Sequence, residues 1–248
     1  MGPLVRDLVE ALGEWRDEGL GVALARVVGL RGSGPRDPGA AMAVNERGEV
    51  IGSVSGRRGE GGVVTEALDV LRTGACRAVS FGYSDDDAFA VGLTCGGTIE
   101  LFLSPLGPAA APVLDGLAAS LRAERPAGLA TVISGPGKGS EMLVRPGVVP
   151  VGSLGNPALD RVVARDVLGE LTAGTTVVRH YGPAGETRQV EVSVYIQSFT
   201  PPPHMVVFGA VDFSAALVRM AKVLGYRVTV CDAREVFATP QRFPQADE

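Results

Sequence analysis

The 248-residue sequence predicts an α/β fold in two parts, an N-terminal mixed α/β domain followed by a short, incomplete βαβ unit. Three observations lead there. Apolar residues recur every three to four positions in some stretches and crowd into short β-branched runs in others, so helices and strands alternate. Three consecutive prolines, Pro201-Pro202-Pro203, interrupt the chain late. Beyond them come one apolar run, a glycine turn, one helical pattern and a second apolar run.

In order along the chain, Leu4, Val5, Leu8, Leu12 and Trp15 share one face of a first helix ending near Gly19. Val22 to Leu30 is a strand, stopped by the breakers Arg31-Gly32-Ser33-Gly34-Pro35 and Pro38-Gly39. Ala41 to Asn45 and Glu49 to Val54 form a hairpin about Glu46-Arg47-Gly48, and Val63 to Leu71 is a helix. Ala78 to Phe81 and Thr98 to Leu103 are strands bracketing Asp85-Asp86-Asp87 and the tight segment Gly92 to Gly97. A helix over Pro112 to Glu124 precedes strands at Leu129 to Ser134 and Met142 to Arg145. The helix carrying Leu159, Val162, Val163 and Val167, then a hairpin of Thr175 to His180 with Gln189 to Phe199, closes the domain. No internal repeat stands out.

Prolines lack a backbone donor and favour an extended connector, so the boundary falls at residues 200–204, between domains 1–199 and 205–248. After it, Met205 to Phe208 is a strand, Gly209 to Phe213 a turn, Ala215 to Leu224 a helix stopped by Gly225, and Arg227 to Cys231 a strand ending at Asp232. That is one βαβ unit of a Rossmann-like domain. A single unit leaves its sheet edges bare, so the domain reads as cut or naturally shortened.

A net charge of −5 supplies no basic field for a nucleic acid backbone, so no nucleic acid partner is expected. Three scattered cysteines, Cys76, Cys95 and Cys231, suit neither a disulfide framework nor a CxxC metal site, which points to a reducing cytoplasm. No window is long and apolar enough for a membrane span, and the N-terminus lacks a basic, targeting character. With only His180 and His204 present, histidine-based catalysis or zinc ligation has little to rest on.

Three loops carry candidate chemistry. Gly52 to Gly62 follows a strand and opens a helix, an arrangement that turns backbone N–H groups toward an anion; Ser53 and Ser55 add hydroxyls, Arg57 and Arg58 charge. The alternative is a flexible connection with solvated arginines. Cys95 lies in Thr94-Cys95-Gly96-Gly97, where glycines admit a ligand and a thiolate would suit a soft metal; the alternative is a small buried cysteine beside a turn. Gly209-Ala210-Val211-Asp212-Phe213-Ser214 occupies the place of a dinucleotide fingerprint, with Asp232 about 20 residues on. Val211 and Ser214 replace two of its glycines, so NAD(P) binding is not expected.

Together Arg31-Gly32-Ser33-Gly34-Pro35-Arg36, Gly52-Ser53-Val54-Ser55-Gly56, Gly92 to Thr98, and Phe208-Gly209-Ala210 through Phe243-Pro244 resemble the XdhC/CoxI family along nearly the whole chain. The resemblance implies an accessory protein that binds molybdenum cofactor (molybdopterin) and assists its insertion into a xanthine or CO dehydrogenase apoprotein, as a carrier instead of an enzyme. It further implies a homodimer, with a cysteine desulfurase as a second partner. Its site would comprise Gly32, Ser33, Arg36, Gly52, Ser53, Ser55, Gly56, Arg58, Thr94, Cys95, Gly96 and Gly97, with Cys95 facing the metal and Arg31 supplementing charge. One departure stands out: Arg58 occupies the position of a family cysteine. Two other readings remain, a regulatory relative that no longer binds cofactor and an NAD(P)-dependent oxidoreductase.

Overall fold

The computed structural model describes residues 3–32, 36–55, 60–82 and 97–248, with the main chain alone for residues 3–7. They form two compact units, Pro3–Phe199 and Thr200–Glu248.

The first unit opens with α1 (Pro3–Asp17), then β1 (Val22–Gly32), β2 (Ala41–Asn45), β3 (Val50–Gly52), α2 (Glu60–Thr73), β4 (Arg77–Gly82) and β5 (Gly97–Pro105). A 3-10 turn at Pro108–Ala110 leads into α3 (Ala111–Arg122), β6 (Ala127–Ser134), β7 (Glu141–Arg145), β8 (Val148–Gly152), α4 (Pro157–Ala173), β9 (Val177–Tyr181) and β10 (Val192–Phe199). The strands make two five-stranded sheets, ordered β3-β2-β1-β5-β4 and β8-β7-β6-β10-β9, antiparallel throughout. Sequence reading placed every one of these strands except β8, an exposed edge strand whose valines alternate with nothing polar.

The element order, helix, three strands, helix, two strands, occurs twice with the same sheet order. This corrects the expectation that the chain holds no internal repeat. The correspondence reaches single residues. Gly39 and Gly139, at φ +108° and +93°, donate to Val27 O and Val132 O at 3.1 and 2.8 Å. Gly52 and Gly152, at φ +87° and +86°, each leave no room for a Cβ, which would lie 2.3 Å from the carbonyl oxygen of Ala41 or Glu141. Gly74 and Gly174, both at φ +68°, follow α2 and α4. Only glycine takes such conformations without strain, so the same turns recur with the same residue in both repeats.

Each sheet buries one face under its second helix. Val63, Ala67 and Val70 of α2 pack on Ala25, Val27, Met42 and Leu101, while Leu159, Val163 and Val167 of α4 pack on Ala130, Val132, Met142 and Val194. Burial on both faces explains why β1 reads as a near-continuous apolar run. On the opposite faces, α1 and α3 cover Leu24 and Ala43 of one sheet and Leu129 and Leu143 of the other, and Arg16 of α1 pairs with Asp115 of α3 at 2.6 Å. Beyond these helices the two sheets meet through polar groups. Arg26 of β1, 1% exposed, donates to Thr131 Oγ1 at 2.9 Å and to Glu141 Oε1 at 2.7 Å.

In the second unit β11 (His204–Phe208) and β12 (Arg227–Cys231) pair in parallel, with α5 (Asp212–Val223) between them. Val207, Val218, Ala221, Val228 and Val230 build its core. Two strands and a helix cover one sheet face only, and Phe208, Phe213, Met220, Val223 and Leu224 stay exposed. No helix among the described residues is long and apolar enough to cross a membrane.

Candidate functional site

The strand registers bring three sequence-predicted loops to one end of the first sheet. Gly32, the last residue of β1, pairs with Gly97, the first of β5. β2 runs antiparallel to β1, so its first residue, Ala41, lies toward that end, and β3 finishes there at Gly52, opposite Met42. β4 also finishes there, with Gly82 opposite Thr98. Gly32 and Gly97 thus meet at that end beside Gly82, while Gly52, level with Ala25 of β1, faces the same direction from further back along the sheet; loops beyond strand ends are where ligands collect. Arg36, half-buried, lies on the loop leading back to Ala41. Ser33, Gly56, Arg58, Thr94, Cys95 and Gly96, with the metal-ligand role expected of Cys95, lie outside the described residues, as do Arg57 and Asp85 to Asp87.

Local contacts refine the roles of these residues. Ser53 N–H donates to Ala41 O at 3.1 Å, which locks the turn after Gly52. Its hydroxyl donates to Glu60 Oε1 at 2.6 Å. A serine expected to hold a phosphate therefore already serves a carboxylate at the head of α2. Ser55 is buried, at 4% exposure. Arg31, expected to supplement the charge, pairs across the strands with Glu100 at 2.8 Å. Sequence reading missed Glu60 and Glu100 as members of this sheet end. Glu60 was detectable, being an acid in the first turn of a helix that follows a serine turn.

The second repeat carries the same turn in closed form. Ser153 Oγ donates to Asp160 Oδ2 at 2.7 Å and Leu154 N–H to Asp160 Oδ1 at 2.7 Å, while Asn156 caps α4 by accepting from Ala158 N–H at 2.9 Å. The turn's donors are spent on the chain's own side chains.

The other candidate groups lie elsewhere. Cys76 packs against Gly139 and is half-buried; burial raises its thiol pKa, with Lys138 and Arg26 pulling the other way. It behaves as a core thiol. His180 contacts Ser193 Oγ at 3.0 Å and His204 contacts Thr229 Oγ1 at 2.7 Å. Among the described residues no three His, Cys, Asp or Glu side chains gather as a metal site would need. At the dinucleotide-like turn, Asp232 accepts from Ala210 N–H at 2.9 Å and from Arg234 N–H and Nε. The Arg234 guanidinium, then the two backbone donors, hold its carboxyl well below the ordinary range. The carboxylate that would take ribose hydroxyls is committed to its own loop.

Comparison with known proteins agrees with this architecture. The model of the XdhC and CoxI family matches residues 15–82 and 120–182, more than half of the chain and one stretch in each repeat. The XdhC Rossmann domain matches residues 205–248. The molybdenum cofactor insertion chaperone PaoD of Escherichia coli (strain K12) is 37% identical over 103 residues, 42% of this chain and 31% of its own length. The uncharacterized protein YqeB of the same organism is 35% identical over 85 residues, 34% of this chain and 16% of its own length. The chain thus spans less than a third of either relative. A crystal structure described as a xanthine dehydrogenase from Bacillus halodurans shares the fold, with a TM-score of 0.62 at 21% identity over 97% of this chain and 66% of that one. With both repeats and the C-terminal unit matched by its models, the chain belongs to the XdhC and CoxI family.

Proposed function

We propose that this chain is an accessory protein of molybdoenzyme maturation that holds molybdenum cofactor at the loop end of the first sheet and passes it to an apoprotein of the xanthine or CO dehydrogenase type. The observation that carries the reading is that Gly32, Gly52 and Gly97 close or open their strands on the same side of the first sheet, Gly52 further back than the other two, with Ser53, Ser55 and Arg36 in the connections that follow. Glycines there let main chain approach the pterin phosphate, and Arg36 supplies a guanidinium donor. Ser33, Gly56, Arg58, Thr94 and Gly96, neighbours of these residues in the sequence, are proposed to complete the site, and Cys95 is the group proposed to face the metal. The likeness to PaoD, a molybdenum cofactor insertion chaperone, supports the same cargo. The reading also places the chain in the cytoplasm, as a homodimer working beside a cysteine desulfurase.

Cofactor retention through gel filtration tests it, with wild type, Arg58→Cys and Cys95→Ser compared. A guanidinium cannot ligate molybdenum as a thiolate does, so the wild type should retain cofactor poorly, Arg58→Cys more tightly, and Cys95→Ser least. Equal retention by all three would remove Cys95 from the site.

A further inference from the structure

The loop that carries Arg36 returns to the first sheet at Gly39 and Ala40, where Val27 N–H donates to Ala40 O at 2.9 Å. Its return point is gripped from the other repeat. Gln197 of β10, 7% exposed, donates its Nε2–H to Gly39 O at 2.9 Å across 158 positions of sequence. Tyr195, two residues earlier on the same strand face, is fully buried; burial raises its phenol, opposed by Arg26 and the Gly39 backbone.

The duplication shows that this grip is particular to one loop. Ser104, opposite Leu24 in β1, matches Gln197, opposite Leu129 in β6. Ser104 accepts from Arg26 at 3.5 Å and is too short to repeat what Gln197 does. The reciprocal loop, Gly135 to Gly139, instead rests on apolar and sulfur atoms of the first repeat, with Lys138 over the Phe102 ring at 5.9 Å and Gly139 against Cys76.

We infer that Gln197 is a positioning residue for the proposed cofactor site: by fixing Gly39 it sets where the Arg36 segment rejoins the sheet. A half-buried carbonyl left without its donor would turn to water, and the return of the loop would shift with it. The inference rests on the proposed function, and the test separates the two.

The experiment uses the full chain with Gln197→Met, which keeps length and removes the donor, and Ser104→Ala as the matched control. Inorganic phosphate binding is measured by calorimetry, and amide hydrogen exchange is followed at residues 37–41 and 135–140. Gln197→Met should weaken phosphate binding about fivefold to tenfold, as expected for one hydrogen bond. It should speed exchange at 37–41 and leave 135–140 unchanged, while Ser104→Ala alters neither reading. Faster exchange with unaltered phosphate affinity would make Gln197 a structural residue only and overturn the inference while the proposed site stands. No phosphate binding by the wild type would overturn both. Should Gln197→Met not fold, Gln197→Asn, one methylene short of the carbonyl, is read the same way.

Discussion

The two repeats of the first unit share a scaffold and differ in what they do with it. Both keep the left-handed glycines at matching turns, the same sheet order and a helix laid on the same face. They part at one sheet end and along the face where they meet. β1 runs 11 residues against 8 for β6, so the first repeat carries its strand on to Gly32 and into a longer loop. At the meeting face, Arg26 matches Thr131 and Ala41 matches Glu141, as the registers show. Identical faces related by a pseudo-two-fold would set like against like. Divergence has instead placed one buried cation against one buried anion, which fixes how the halves pack and which half faces which way.

The largest effect should come from that face. Glu141→Ala strands the Arg26 guanidinium in the interior, and removing one partner of a buried pair typically costs about 3–5 kcal/mol. The double variant Arg26→Met with Glu141→Leu should recover most of it, because two apolar side chains owe no desolvation penalty. Denaturant unfolding of both proteins decides the matter: a cost under about 1 kcal/mol for Glu141→Ala would mean that the ion pair does not hold the repeats together.

Next in size come the matched glycines. Gly52→Ala and Gly152→Ala force a Cβ to within 2.3 Å of a carbonyl oxygen at nearly the same φ, so each should cost on the order of 1–3 kcal/mol, Gly152→Ala the more because its Cβ would also meet Val113 Cγ2 at 2.9 Å. Their functional effects should differ. Only Gly52→Ala should reduce cofactor retention, and equal losses of retention from both substitutions would place function in both repeats alike.

Most strands and helices are legible because burial on one face leaves a period in the sequence, as with α2, and burial on both leaves a continuous apolar run, as with β1. β8 is not, since an exposed edge strand needs no alternation. The duplication is hidden in the sequence for a different reason. Val27 matches Val132 at an offset of 105, but Gly39 matches Gly139 at 100, so the loop between them breaks any fixed-period comparison. On β5 and β10 some paired positions have also diverged in chemistry, Phe102 against Tyr195 and Ser104 against Gln197. What survives is scattered along the strands, Leu24, Ala25, Val27, Met42 and Val44 against Leu129, Ala130, Val132, Met142 and Val144, and in the turns Gly52-Ser53 and Gly152-Ser153, so it shows only once the registers align it. The glycines of the proposed site are legible as loop breakers, whereas Gln197 is not, because nothing local says that a side chain 158 positions away will reach Gly39.

The smallest expected effect separates the two serine turns. Asp160 accepts from both Ser153 Oγ and Leu154 N–H and sits near the N-terminus of α4, where its charge is favoured by the helix dipole. Asp160→Asn removes one acceptor and the charge, and should cost about 1 kcal/mol with cofactor retention unchanged. Glu60→Gln keeps the length and loses only the charge that Ser53 serves, so its stability cost should be smaller still. Its effect should show in binding. If the Ser53 turn is the anion-holding one, the Glu60 carboxylate stands in the anion's place or beside it, and neutralising it should tighten inorganic phosphate binding severalfold, most at low salt, where repulsion between neighbouring charges is least screened. Calorimetric titration at two ionic strengths reads this directly. Phosphate affinity that is unchanged by Glu60→Gln but altered by Asp160→Asn would move the anion site to the second repeat and reverse the roles assigned to the two halves.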